Sequence, residues 1–131
     1  EILDLASRHP ELTGFHGGFF RDGHGYIVPS TNLGKVVRFS LQDFAQGGSV
    51  ATLDLAAHDA DLKGFGGGFT DGVHGYVVPN KNNGAYFGKV ARFDLQYFEI
   101  VQVLDLTQTD STLKGFCGGF TDGLHGYVVP N

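Results

Sequence analysis

Phe69-Thr70-Asp71-Gly72-Val73-His74-Gly75-Tyr76-Val77-Val78-Pro79-Asn80 is the stretch on which the fold turns. Asp71-Gly72 signals a two-residue hairpin, because a type I′ turn needs positive φ at both central positions and Asp-Gly tolerates that. Gly-Gly-Phe-Thr precedes the turn and His74 to Pro79 follows it. Tyr76 and Val78 share one face of the second strand, and Gly75 and Val77 share the other. Both faces are apolar or small, which fits a strand covered on both sides. Pro79, with no N–H to donate, ends it.

Working outward, Asn80 to Gly84 reads as a polar loop. A third strand spans Gly88 to Leu95, with Ala91, Phe93 and Leu95 on one face and Val90, Arg92 and Asp94 on the other. Phe98 closes a short connection to a fourth strand, Ile100 to Leu106, and a polar linker from Thr107 to Thr112 follows. No helical period appears anywhere, so the expected class is all-β with short strands and turn signals between them.

The same words then recur. Residues 53–80 and 104–131 align without a gap and match at 21 of 28 positions, and a looser copy spans residues 3–30. Self-similarity at about fifty residues marks one supersecondary unit used repeatedly. The organisation expected is repeat 1 over 1–52, repeat 2 over 53–103 and repeat 3 over 104–131, read as a segment of a longer repeat protein. The first copy shortens the loop after Pro29 by four residues, lengthens the connection after Phe44 by three, and sets its turn, Arg21-Asp22-Gly23, one position late. Counted over all copies, eleven strands are expected: three each of the first, second and fourth, and two of the third.

These words resemble two known repeat types. Phe-Thr-Asp-Gly-x-x-Gly-Tyr-Val-Val-Pro-Asn followed by Gly-Lys-Val-Ala-Arg-Phe-Asp-Leu resembles the YVTN-type β-propeller repeat. The whole unit is similar to uncharacterised Gly-Phe-x-Gly-Gly-Phe-Thr-Asp-Gly repeat proteins of algae, other protists and bacteria. The resemblance implies four-stranded antiparallel propeller blades, with an open β-repeat stack in a filament as the alternative.

Composition narrows the function. The chain has 131 residues, net charge −5, 41% apolar residues and 21 glycines, with no Gly-X-Y period. No Lys/Arg cluster tracks a phosphate backbone, so no nucleic-acid partner is expected, and no apolar run reaches the ~20 residues of a membrane-spanning helix. Cys117 is the sole cysteine and rules out an intrachain disulfide. It aligns with His16 and Gly66 in the freely varying position of Gly-Phe-x-Gly-Gly, which reads as a loosely packed slot.

His24, His74 and His125 each precede Gly-Tyr, and three imidazoles on one axis suit zinc or copper. Against this, no carboxylate is expected to repeat beside them as a second shell, and each is expected to bond a carbonyl beside its turn. Asp22, Asp71 and Asp122 supply one carboxylate per site, too few for a calcium loop. Arg38 and Arg92 are expected to pair across strands with Asp54 and Asp105. Tyr86 and Phe87 lie outside the repeated positions and are the candidate ligand-contacting aromatics. No cofactor and no catalytic residue are expected. The leading reading is a non-enzymatic structural or interaction module of a larger extracellular or cell-surface assembly. Its partners would be other repeats of the same chain or further copies, with glycans as a further option. The alternatives are a carbohydrate- or ligand-binding propeller and, behind it, a lactonase-like propeller enzyme.

Overall fold

A computed structural model describes residues 1–31 and 33–131; Asn32, in the loop after Pro29, lies outside the described residues. The chain is all-β and antiparallel. The first sheet contains β1 (Phe15–Arg21), β2 (His24–Pro29), β3 (Lys35–Ser40) and β4 (Ala51–Asp54), adjacent in chain order. Then come β5 (Phe65–Thr70) and β6 (His74–Pro79), a miniature hairpin of β7 (Lys81–Asn82) and β8 (Ala85–Tyr86), and β9 (Lys89–Asp94) and β10 (Val101–Asp105). The second sheet runs β5-β6-β9-β10, the same order with the miniature hairpin set aside. A two-stranded sheet, β11 (Phe116–Thr121) with β12 (Gly126–Pro130), ends the chain. Among the described residues no sheet closes on itself. The only helical pieces among the described residues are short 3-10 turns at Phe44–Gln46, Leu55–Ala57 and Leu106–Gln108.

Three local expectations are corrected. The fourth-strand copy at the start of the chain, around Leu3-Asp4-Leu5, is not a strand. A fourth strand is held by ladder bonds to a third, and β3 and β9 are already paired with β4 and β10. The polar loop 80–84 is instead the β7–β8 hairpin. Asn83 and Gly84 take φ of 50° and 82°, the two positive values that an Asn-Gly type I′ turn requires.

The third correction concerns the main hairpin turns. In the first copy Asp22 and Gly23 have φ of 47° and 74°, as a type I′ turn demands. In the second, the N–H of Asp71 bonds the carbonyl of His74, so the central residues are Gly72 and Val73. Gly72 has φ of 97° while Val73 is not left-handed, which suits a type II′ turn with Gly first. Asp71 therefore stands just before the turn, and its side chain is free for another task.

The sheets pack face to face. Tyr26, Val28, Val36 and Leu53 of the first sheet meet Val77, Ala91 and Phe93 of the second, and Leu55, Leu62, Phe65 and Phe98 complete the buried cluster. The spacing depends on Gly75. A Cβ there would lie 2.5 Å from the Phe93 ring, which crosses from the neighbouring strand, and 2.6 Å from the ring of Phe19 in the facing sheet. Gly25 stands in the same relation to Phe39. Glycine opposite phenylalanine is thus a built pair: the missing side chain makes the seat for the ring.

The first strands come closest of all. β1 neighbours β5, and β5 neighbours β11. A Cβ on Gly17 would lie 3.4 Å from the Cα of Gly67, and one on Gly67 3.3 Å from the Cα of Gly118. All three occupy a bulge at which the ladder register shifts, so the bulges of successive first strands stack backbone on backbone.

Gly75→Ala should destabilise the chain by about 1–3 kcal/mol through overpacking between Phe93 and Phe19. Gly126→Ala, whose Cβ would meet only the Phe69 ring at 3.1 Å, should change stability by less than about 1 kcal/mol. Urea denaturation of both variants checks the contrast, and equal losses would refute the ring-seat account.

Candidate functional site

Three polar regions are candidates. The first is the hairpin tip that the words Thr-Asp-Gly and His-Gly-Tyr build twice. Asp71 Oδ1 accepts the backbone N–H groups of Val73 and His74 at 2.8 and 2.7 Å, and Oδ2 accepts Tyr76 Oη at 2.8 Å. His74 Nδ1 lies 3.4 Å from the same carboxylate. Thr70 Oγ1 donates to the carbonyl of His74 and accepts from the N–H of Gly72. The third copy repeats this closely, with Asp122 accepting from Leu124, His125 and Tyr127 and with Thr121 in the place of Thr70.

Burial alone would raise the Asp71 carboxyl. Bonds from the N–H groups of His74 and Val73, from the Tyr76 hydroxyl and from the His74 ring outweigh it and hold the group down at about 2. Asp122 is lowered through bonds from His125, Leu124 and Tyr127.

The histidine expectations need revision in one respect. His24 Nδ1 donates to the carbonyl of Asp22 at 3.0 Å, as anticipated. His74 and His125 sit instead beside the carboxylates of Asp71 and Asp122, at 3.4 and 3.8 Å, so a carboxylate does accompany these two. Each histidine is nevertheless anchored in its own turn. Among the described residues, no three His, Cys, Asp or Glu side chains come together as a metal-ligand group.

The cross-strand Arg–Asp pairs are also corrected. The register sets Lys35 opposite Asp54 and Lys89 opposite Asp105, while Arg38 faces Ala51 and Arg92 faces Gln102. Arg38 stacks its guanidinium 4.6 Å from the centre of the Phe98 ring. Arg92 donates to Gln102 Oε1 at 2.7 Å. The ion pairs form elsewhere: Lys35 with Glu11 at 2.9 Å, and Lys89 with Asp59 and Asp61 at 2.7 and 2.8 Å. These acids lie in the turns that precede the first strands. Donating to Asp59 first, then to Asp61, pushes the pKa of the Lys89 ammonium up.

The second region is a cleft of about 210 Å³ beside the first strands. It brings together the varying slot of each copy (His16, Gly66, Cys117) and the residue after each proline (Ser30, Asn80, Asn131). In the middle copy the slot is full, contrary to the loose packing expected. A Cβ on Gly66 would lie 2.5 Å from the Phe116 carbonyl, and Asn80 Nδ2 donates to that same oxygen at 2.6 Å. Only the outer copies, with exposed His16 and Cys117, admit a side chain. Cys117 Sγ lies 3.5 Å from the Pro130 carbonyl.

The third region holds the candidate aromatics. Phe87 packs edge-on against Phe65, centroids 5.7 Å apart, and belongs to the core margin. Tyr86 covers Gly115, and the Lys81 ammonium lies 4.6 Å from its ring centre. Both help line a cleft of about 170 Å³ with Asp61, Lys89 and Asp105; Phe87 is turned towards the core, and the Tyr86 ring, though 47% exposed, is engaged by Gly115 and Lys81.

The Asp71 network could have been found from sequence only by asking why Thr-Asp-Gly recurs verbatim while the first copy reads Phe20-Arg21-Asp22-Gly23. Without the Thr and the preceding Asp, that turn takes the other type. No protein family, no curated protein and no solved structure matches this chain.

Because the folded Asp71 carboxyl titrates below its ordinary 3.8, its contribution is whole above pH 4 and fades as pH falls towards 2. Asp71→Asn should cost about 1 kcal/mol at pH 7, the shift being discounted for solvent screening at this exposed tip, and flatten the acid limb of the stability curve between pH 4 and 2. Thermal melts of the chain and the variant across that range check this, and parallel acid limbs would count against it.

Proposed function

We propose that the chain is a structural or interaction module, built of propeller-type blades or of an open β-stack, that works by face-to-face association with further units of its own kind in an extracellular or surface assembly. The observation behind this reading is that apolar side chains lie exposed on the far face of the first sheet and on the part of the second sheet's far face that β11 and β12 leave uncovered. Phe20 is 74% exposed on the free face of the first sheet, and Leu104 is 62% exposed on the free face of the second. Leu53, the counterpart of Leu104, is buried between the first two sheets, and exposed apolar faces of this kind mark interaction surfaces. Head-to-tail contact between unlike faces gives rings or filaments according to whether the rotation closes.

The ligand-binding reading has less support. A carbohydrate platform needs an open aromatic face, whereas Phe87 leans into Phe65 and the Tyr86 ring is shared between Gly115 and Lys81. The lactonase-like reading needs a metal or acid–base cluster, and the polar groups described serve turns and ladder edges instead.

Sedimentation velocity at rising concentration tests the proposal. Reversible association is expected, and Phe20→Lys and Leu104→Lys should each abolish it while leaving the melting temperature within a few degrees. A chain that stays monomeric at high concentration, or association indifferent to both substitutions, would count against the module reading.

A further inference from the structure

Gly-Lys-Val-x-Arg-Phe-x-Leu-Gln-x-Phe describes both residues 34–44 and residues 88–98. In each case this segment supplies the strand that pairs with the hairpin's second strand. The register is the same: Phe opposite Gly (Phe39 with Gly25, Phe93 with Gly75), and Arg opposite Tyr (Arg38 with Tyr26, Arg92 with Tyr76). The Leu that follows donates its N–H to the last turn residue, Leu41 to Gly23 and Leu95 to Val73. The second Phe folds back onto the first, with centroids 6.0 and 5.6 Å apart.

The third hairpin has the receiving half of every one of these contacts. β12 pairs only with β11, so its other edge is open. Gly126 lacks the ring of its own sheet that fills Gly25 and Gly75; only Phe69 of the facing sheet approaches it. On the face that the second Phe would cover, Tyr76, Val90, Arg92, Gln102, Val103 and Leu104 line a cleft of about 270 Å³. In the first sheet the equivalent Tyr26 and Arg38 are covered by Phe98, at 6.1 and 4.6 Å. Asp110 holds the position that Asp59, which accepts from Lys89, holds one repeat earlier. An edge, a ring seat, a second aromatic seat and a carboxylate all coincide with one pattern.

We infer that β12 docks an antiparallel strand of the Gly-Lys-Val-x-Arg-Phe-x-Leu-Gln-x-Phe type by strand addition, with its first Phe seated on Gly126 and its second on Tyr76 and Arg92. Ladder hydrogen bonds supply affinity and the two ring seats supply selectivity. This deepens the module reading by naming what one of its surfaces accepts.

A fluorescently labelled synthetic peptide of residues 87–99, titrated against the whole 131-residue chain and followed by anisotropy, tests it. Saturable binding is expected. Peptides with Phe93→Ala or Phe98→Ala should bind at least tenfold more weakly to the unaltered chain. The chain variant Gly126→Ala, whose Cβ would fill the ring seat as a Cβ on Gly75 would meet Phe93 at 2.5 Å, should lose binding while its melting temperature stays within a few degrees. Amide shift changes should gather on residues 126–131 and on Tyr76 and Arg92. Absence of saturable binding, indifference to either Phe, or shifts centred on the free β10 edge would each overturn the inference. The titration is made at concentrations where the chain is monomeric, so its result is independent of whether the chain self-associates.

Discussion

The cross-strand pair of glycine and phenylalanine is the constraint from which the rest of the structure follows. Phe93 of the neighbouring strand and Phe19 of the facing sheet can both bring their ring ends to Gly75 only because no Cβ stands there, and together they fix the height at which the facing sheet sits. That height sets the distance between sheets. It also places Tyr26 within reach of both Phe93 and Phe98. Around these rings the core is filled by aliphatic side chains, Val28, Val36, Leu53, Leu55, Leu62 and Val77, so rings set the spacing and branched residues close the gaps.

Much of this was legible from sequence, for identifiable reasons. Period-two alternation located β6 and β9, and proline closed the second strand of each hairpin, because both signals act through the backbone locally. What escaped were choices decided across space. The register that sets Lys89, not Arg92, opposite Asp105 follows from where the turn at residues 95–100 ends, and no alternation pattern carries that information. The Asn83-Gly84 hairpin carried a direct turn signal, but its strands are two residues each, too short for any period. The failure of Leu3-Asp4-Leu5 to form a strand shows the reverse case. The same tripeptide is β at 53–54 and 104–105, where a third strand lies alongside, so its conformation is lent by its neighbour.

The polar candidates were legible as residue types and not as roles. His74 and His125 stand out by recurrence, yet their recurrence traces to turns held by Asp71 and Asp122. Side chains that satisfy a tight turn and side chains that serve a ligand draw on the same residue types, and only geometry separates them. Here the geometry ties each carboxylate to two N–H groups and a tyrosine hydroxyl, leaving little of its accepting capacity for anything else.

The backbone-on-backbone stacking of Gly17, Gly67 and Gly118 also bears on how such a chain can diverge. A side chain on Gly17 or Gly67 would point straight at the neighbouring backbone, where no rotamer change gives relief, whereas Gly118 faces open space and is held to glycine only by its positive φ. The neighbouring slot is different: Gly66 is closed by the Phe116 carbonyl, but His16 and Cys117 at its two ends are open to solvent. New side-chain chemistry can therefore enter this region only at the rims, and a change in specificity would be expected to leave the interior glycines untouched.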